Sequence, residues 1–336
     1  MPKVVVVGGG FCGLVAAKRL LRKGFEVVLV DPKADFEFTP SVYKAIFNPA
    51  YGRKITIPYS GALPGAGIVK GLATGIAGSS VLVASRKIHF DFAILCAGGS
   101  TPVPGFKGVF VIKRLADISR LRERLAKVDD AVICGGGQVG IELSAELARH
   151  GKNVTVLHAA DRLIERSPER AGRLAEARLR KLGVEVCLKE KVVKIENGTV
   201  VTEHRRLRSS CIFWCIGVKP VTGFLKSAGL LQDSRLHVND FLQTSRSTVF
   251  AGGDIAEAGV EKTAQNAAIQ GSVIAENIIR LSGNLPLKKY RRRPTPLVID
   301  LAGCGMFVWG SFVVASPLLS PLKLLVEAKE MFALRH

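Results

Sequence analysis

The chain has 336 residues, 48% of them hydrophobic, and its 48 lysines and arginines against 28 aspartates and glutamates give a formal net charge of +20. That composition, with 35 glycines, excludes a disordered or low-complexity chain and fits an α/β protein of roughly two domains. Seven scattered cysteines, with neither C-x-x-C nor C-x4-C among them, exclude a disulfide framework and point to buried thiols in a reducing compartment.

The basic residues cluster at Arg205, Arg206 and Arg208 and again at Lys288, Lys289, Arg291, Arg292 and Arg293. Tyr290 alone is interleaved with them and no nucleic-acid module is recognisable, so an anionic lipid surface or a plain solvated face is expected rather than a nucleic acid.

Met1-Pro2-Lys3 leads directly into the apolar strand Val4 to Val7, which leaves no room for a signal peptide and predicts a cytoplasmic protein. Gly8-Gly9-Gly10-Phe11-Cys12-Gly13 follows as G-x-G-x-x-G. Such glycines let a backbone turn tightly against a pyrophosphate, and the next helix turns its N-terminus toward the anion. The helix is predicted from Phe11 to Lys23, stopped by Gly24, with a strand from Phe25 to Asp31 behind it. This is a βαβ unit with a right-handed crossover.

Asp91 to Gly99 reads as a further strand ending in glycines, and Thr101-Pro102-Val103-Pro104-Gly105 as a rigid linker. A helix over Leu115 to Lys127 then leads into a near copy of the first fingerprint, Gly135-Gly136-Gly137-Gln138-Val139-Gly140. Gly8, Gly10, Gly13 and Gly24 map at a constant offset on Gly135, Gly137, Gly140 and Gly151, and the second strand of this copy runs from Asn153 to His158. The copy closes near Cys211 to Pro220. Cys211 and Cys215 lie on one strand, about 13 Å apart at the usual rise and too far for a disulfide. Thr244 to Asp254 returns the chain to the first domain. The expected organisation is one dinucleotide-binding domain over 1–104 and 221–290, a second inserted over 105–220, and a C-terminal interface segment over 291–336.

In the tail, Leu301 to Leu322 carries no charge, but its glycines, serines and prolines argue against a membrane span. Two strands around Gly303-Cys304-Gly305, within Pro296 to Ala315, and a helix from Ser320-Pro321 to about Leu334 are expected, with Ser320 as N-cap and Pro321 at the first helical position. That helix places Leu322, Leu325, Ala328 and Phe332 near one face with Lys323 and Lys329 beside it. Such a face suits an intramolecular or dimer contact, or an interfacial membrane helix.

The residue closing the second strand decides what each fingerprint holds, because an acid there accepts hydrogen bonds from both ribose hydroxyls of an adenosine. Asp31 fits that role. His158 occupies the same slot in the copy and is not an acid, so charge does not exclude a 2′-phosphate there, and Arg162 and Arg166 just downstream would favour one.

Thr244-Ser245-Arg246-Ser247-Thr248-Val249-Phe250-Ala251-Gly252-Gly253-Asp254 matches T-x-x-x-x-V-[FY]-A-x-G-D, and Asp91 to Gly99 matches an A-T-G stretch more loosely, with Cys96 and Ala97 as variants. With the paired fingerprints, these motifs make the chain resemble, over almost its whole length, the two-dinucleotide-binding-domain flavoproteins. The fold implied is α/β, with two Rossmann-like domains of the glutathione-reductase type. The missing C-x4-C sets the disulfide reductases aside. Phe36-Glu37-Phe38-Thr39-Pro40-Ser41-Val42-Tyr43 resembles the flavin-contact loop of type II NADH dehydrogenases. Lys262-Thr263-Ala264-Gln265-Asn266-Ala267-Ala268-Ile269-Gln270-Gly271 resembles the helix lining their quinone site, and is similar in the apoptosis-inducing-factor-like NAD(P)H:quinone oxidoreductases.

The resemblance implies FAD on Gly8, Gly10, Phe11, Cys12 and Gly13, on Asp31, Pro32 and Lys33, on Thr39, Ala73, Ala97 and Gly98, and on Gly253, Asp254, Thr263 and Ala264. It implies NAD(P)H on Gly135, Gly137, Gln138, Val139 and Gly140, with Glu142 near the nicotinamide and His158, Arg162 and Gly217 around the rest. A quinone would meet Gln265, Ala268 and Gln270, although Gln270 cannot share the helix face of Gln265. Glu142, Lys262 and Gln265 would serve the chemistry; Lys262 would add charge at the flavin edge, beside a helix N-terminus. No metal is expected. The implied reaction takes hydride from NAD(P)H to FAD and two electrons on to a quinone, in a homodimer or at the inner face of a cell membrane.

Three other readings stay open. A sulfide:quinone oxidoreductase needs two cysteines at the flavin, where Cys304 lacks a convincing partner and the second fingerprint is unexpectedly intact. A ferredoxin or rubredoxin reductase would use the basic surface for an acidic partner. A flavin-bound redox sensor or basic nucleic-acid-associated factor would turn over slowly with every acceptor.

Overall fold

The computed structural model describes all residues except Pro104, Lys107 and Arg293. The linker proline, the end of the first predicted domain segment and one residue of the second basic cluster therefore fall outside the described residues.

Strand β1 (Lys3–Val7) has valines almost wholly hidden from solvent, as expected of a strand covered on both faces. Helix α1 (Phe11–Leu21) and strand β2 (Glu26–Asp31) complete the first unit, and β1 and β2 pair in parallel from Lys3↔Glu26 to Val7↔Val30. Strand β3 (Gly67–Lys70) adds outside β2, and β4 (Phe92–Leu95) pairs with β1 on its other side. The chain then leaves for a second sheet: β5 (Val109–Phe110), β6 (Asp130–Cys134), helix α2 (Gln138–Arg149), β7 (Asn153–Leu157), helix α3 (Glu169–Lys181), β8 (Glu185–Cys187) and β9 (Ile212–Trp214). It returns as β10 (Val249–Ala251), which pairs in parallel with β4.

The sheets run β10-β4-β1-β2-β3 and β5-β9-β6-β7-β8, all parallel. In each, strand order reverses beside the strand that carries a glycine fingerprint, which is where open α/β sheets bind ligands. The duplication reaches the third strand: Cys96, after β4, donates its N–H to Val7, and Cys215, after β9, donates its N–H to Cys134. A Cβ on Gly13 would collide with the Gly8 carbonyl, and one on Gly140 with the Gly135 carbonyl. The third glycine of each fingerprint is thus required by the closeness of helix to strand. Gly99–Ser100 and Lys219–Pro220 pair antiparallel where the chain crosses between the sheets.

The predicted helix over Leu115 to Lys127 is a 3-10 turn, Leu115–Asp117, followed by an α-helix, Ile118–Leu125. Helix α4 (Ala264–Ser282) packs along α1.

The tail departs from expectation. It has three antiparallel strands, β11 (Leu297–Asp300), β12 (Gly305–Trp309) and β13 (Phe312–Ser316), not two. A two-residue turn with Gly310 at a φ of +56° folds the apolar run back so that Trp309 pairs with Phe312. Ser316 supplies the capping hydroxyl, accepting from the Leu318 N–H at a 3-10 turn, and Ser320 caps nothing. Helix α5 (Leu322–Arg335) then buries Lys323, Glu327, Met331 and Leu334. The predicted apolar face is turned outward, with Leu325 64% and Phe332 66% exposed. Among the described residues, no helix is long and apolar enough to cross a membrane.

Candidate active site

Both fingerprints leave a helix N-terminus open. Gly10 and Gly137 precede α1 and α2 in the same extended conformation (φ −73° in each), and no side chain caps either helix. No neighbouring atom occupies the space where a Cβ on Gly10 or Gly137 would sit. Unpaired N–H groups beside open space, at the positive end of a helix dipole, suit a pyrophosphate. The residues at each loop fit a dinucleotide.

The strand ends differ. Asp31 is buried, accepting from the Gly9 N–H (2.7 Å) with one oxygen and from the Lys33 N–H (2.8 Å) with the other. In the copy, Nδ1 of the buried His158 accepts from the Gly136 N–H at 3.1 Å. His158 thus fills the acid's place and makes its hydrogen bond. Arg162, expected to favour a 2′-phosphate, donates instead to the carbonyls of Ser167 (2.8 Å) and Glu165 (2.5 Å). Its guanidinium thus fastens the loop. Val139 is half exposed at the start of α2, Gln138 is partly buried beside it, and Gly217 is exposed just beyond β9.

Around the first loop, the Phe11 ring packs edge-on against Phe36 (5.0 Å) and Phe38 (5.3 Å), which fixes the segment leading to Thr39. Thr39 is exposed, while Pro32, Lys33, Ala73, Ala97 and Gly98 are partly buried. Under the loop, the sulfurs of Cys12 and Cys96 lie 3.0 Å apart, and burial, with the Cys96 contact adding, pushes the Cys12 thiol well up. Cys304 makes no thiol contact among the described residues.

Gly253, Asp254, Lys262, Thr263 and Gln270 line one shallow depression. Thr263 caps α4, accepting from the Asn266 N–H, and Ala264 opens the helix. The Gln270 carbonyl accepts from the Gly253 N–H at 2.6 Å, and the residue is 2% exposed. Gln270 therefore ties the Gly253 loop to α4. Gln265 is exposed and Ala268 partly buried on a different side of α4. Lys262 is not a free cation, since its ammonium lies 3.2 Å from Glu257. The sequence reading missed Lys113, which donates to the Gly99 carbonyl beside Asp254; burial lowers its pKa and the Asp254 charge opposes that shift.

A second omission is larger. Glu142, expected at an open nicotinamide site, is 3% exposed and paired with Lys323 of α5. The same carboxylate oxygen accepts from the Asp300 N–H at 2.9 Å. Lys323 also donates to the Tyr43 hydroxyl (3.3 Å), Lys44 pairs with Asp300 (2.8 Å), and the Tyr51 hydroxyl donates to Glu327 (2.7 Å). Ser41 Oγ, one Asp300 oxygen and one Glu327 oxygen remain buried without a partner. Burial raises the Glu142 pKa, with Lys323 as the main opposing influence, and burial followed by the Glu142 charge raises Tyr43. The only hint in the sequence was two charges, Lys323 and Glu327, four apart on one side of an apolar helix. Among the described residues no cluster could hold a metal ion.

Residues 2–271 match the family described as pyridine nucleotide-disulphide oxidoreductase. Ferroptosis suppressor protein 1 of Xenopus laevis is 30% identical over 332 residues, covering 91% of this chain and 88% of that protein. Demethylphylloquinone reductase NdbB of Synechocystis is 26% identical over 351 residues, covering 92% and 87%. The sulfide:quinone oxidoreductase of Aquifex aeolicus superposes with a TM-score of 0.87 over 100% of this chain and 92% of that one; at 19% identity the likeness shows the fold alone. Two fingerprints of one build, a flavin motif after β10 and this family match lead to one conclusion: the chain belongs to the pyridine nucleotide-disulphide oxidoreductase family and is an FAD- and NAD(P)H-dependent oxidoreductase.

Proposed function

We propose that the acceptor is a quinone and that the enzyme works as an NAD(P)H:quinone oxidoreductase on an anionic membrane surface. The observation that carries this is the two-sidedness of α5. Its inner face delivers Lys323 to Glu142 and Tyr43, between the two dinucleotide domains. Its outer face exposes Leu325 and Phe332, with Trp309, Phe312 and Leu318 also exposed in the tail. One short segment thus links a proton-holding cluster to a surface suited to lipid, where a hydrophobic acceptor resides. The demethylphylloquinone reductase named above supports the same reading.

The residues divide the work. The loop at Gly8–Gly13, with Asp31 and Asp254, holds FAD, which when bound supplies a two-electron acceptor and donor. The loop at Gly135–Gly140 docks NAD(P)H. Reducing a quinone to a quinol consumes two protons. Glu142, with a raised pKa, and Lys323 beside it hold one where the tail closes over the junction. Gln265, exposed on α4, offers an amide to a quinone carbonyl and Ala268 leaves room beside it.

The test is an anaerobic titration of the purified holoprotein with NADH and with NADPH, followed by a short-chain quinone. The flavin absorbance should bleach and then return. Return only with an acidic iron–sulfur protein would replace the quinone in this reading.

A further inference from the structure

We infer that Glu165, held against His158, is the acid that reads the adenosine ribose of the second dinucleotide, and that it selects NADH over NADPH. This rests on the proposed docking of NAD(P)H at Gly135–Gly140.

The tautomer of His158 is fixed by its neighbour. A backbone amide can only donate, so Nδ1, at 3.1 Å from the Gly136 nitrogen, must be the acceptor. The neutral ring then carries its proton on Nε2. That atom is buried, makes no hydrogen bond of its own, and lies 3.2 Å from a Glu165 oxygen. At the strand end of the first fingerprint, the Asp31 carboxylate takes the loop amide itself and keeps acceptor capacity for a ribose hydroxyl. In the copy the two tasks are split. His158 takes the amide, and an acid from the following loop stands at the outer edge of the ring. Nε2 carries the ring proton, is shut off from solvent and cannot accept from a hydroxyl; the half-exposed Glu165 carboxylate can only accept. That carboxylate matches a ribose diol. A 2′-phosphate would bring about two negative charges against the same carboxylate.

Glu165 is placed rather than free. The Ile164 N–H donates to the Gly136 carbonyl at 2.9 Å, and Arg162 ties the Glu165 and Ser167 carbonyls from below. Leu163 is fully buried against Gly136, where a Cβ would strike it. The loop is thus bolted to the fingerprint while the Glu165 side chain stays 47% exposed. Arg166, exposed and next in the chain, is the residue that would pull the preference the other way.

The experiment follows anaerobic flavin reduction in the holoenzyme by each nucleotide and takes the ratio of the second-order rate constants. The wild type should favour NADH. Glu165→Gln should lower the NADH/NADPH ratio about tenfold, as loss of a hydrogen bond to a charged group predicts, and Glu165→Lys should lower it further. A loosened loop would slow both nucleotides alike and leave the ratio where it was. A wild type that favours NADPH, or a ratio unmoved in both variants while each nucleotide still bleaches the flavin, overturns the assignment. A flavin that stays oxidised with both nucleotides sinks the proposed function instead.

Discussion

The two glycine loops and the junction beneath the tail solve opposite electrostatic problems. Each loop prepares for an anion with backbone alone: open N–H groups, a helix dipole, and no charged side chain capping the helix. The junction buries full charges, Glu142 and Lys323 at its centre, with Asp300 and Lys44 paired beside them. Backbone amides need little desolvation and have fixed geometry, so a loop of this kind tolerates no change of shape but holds no strain of charge. A buried ion pair holds its members only while both are present. The loops should therefore fail by sterics and the junction by charge.

The largest effect expected follows from the first half of that contrast. Gly13→Val puts a branched side chain into the Gly8 carbonyl, and Gly140→Val does the same at Gly135. Gly13→Val should purify without flavin. Gly140→Val should keep flavin, visible in its absorbance, yet show no bleaching by either nucleotide. Equal flavin loss in both would mean that the loops do not hold separate ligands.

Next in size is Lys323→Met. It strands a buried carboxylate and should cost about 3–5 kcal/mol, read as a fall in denaturation midpoint. The sign of its pH dependence follows from Glu142, whose folded pKa is raised above its unfolded value. Its contribution is fullest below the unfolded carboxyl range and declines as pH rises through the folded pKa. Removing the lysine removes the main influence opposing that rise, so the gap between wild type and variant should widen as pH rises past the wild type's folded pKa toward the variant's higher one. A gap that narrows with pH would show that Glu142 is not the charge left behind. Adding Glu142→Gln should recover much of the loss.

The same contrast explains what could be read in advance. A G-x-G-x-x-G loop is specified by neighbours in sequence, so Gly8–Gly13, Gly135–Gly140, the strand-end slots and the return at Asp254 were all legible. The junction draws on Tyr43, Glu142, Asp300 and Lys323, which no spacing connects. The tail helix left open which way its apolar face turns, because apolar periodicity marks the buried face of an ordinary surface helix and equally a face for lipid or a second chain. Here Leu325 and Phe332 face outward, while Lys323 and Glu327 turn inward to partners from three other segments. Arg162 shows a related limit of sequence: a downstream arginine looks the same whether it awaits a phosphate or ties its own loop.

Gln270 lies between the two kinds of site, a side chain serving a backbone loop. Gln270→Leu keeps the volume but leaves the Gly253 N–H without its acceptor. It should cost about 1–3 kcal/mol and weaken FAD retention during dilution. Quinone reduction by the flavin-loaded fraction should be nearly unchanged if the buried amide serves only the Gly253 loop. A selective loss of quinone turnover with FAD fully retained would return Gln270 to the quinone site.

The smallest effect on stability belongs to the outer face of the tail. Leu325→Glu and Phe332→Glu change side chains that are 64% and 66% exposed, and surface substitutions of that kind stay within about 0.5 kcal/mol. If the face only lay idle against water, nothing else should change. If it rests on lipid, two acids there meet both an apolar interior and an anionic surface, and each opposes binding. Flotation with vesicles containing an anionic phospholipid should then carry the wild type and leave the double variant behind, with turnover of a water-soluble quinone analogue preserved in both. The basic surface predicts that raising the salt weakens flotation of the wild type with anionic vesicles and leaves any binding to neutral ones nearly unchanged. Equal flotation of the two proteins, or a wild-type dimer that the same substitutions split, would give this face to a second copy of the chain instead of to lipid.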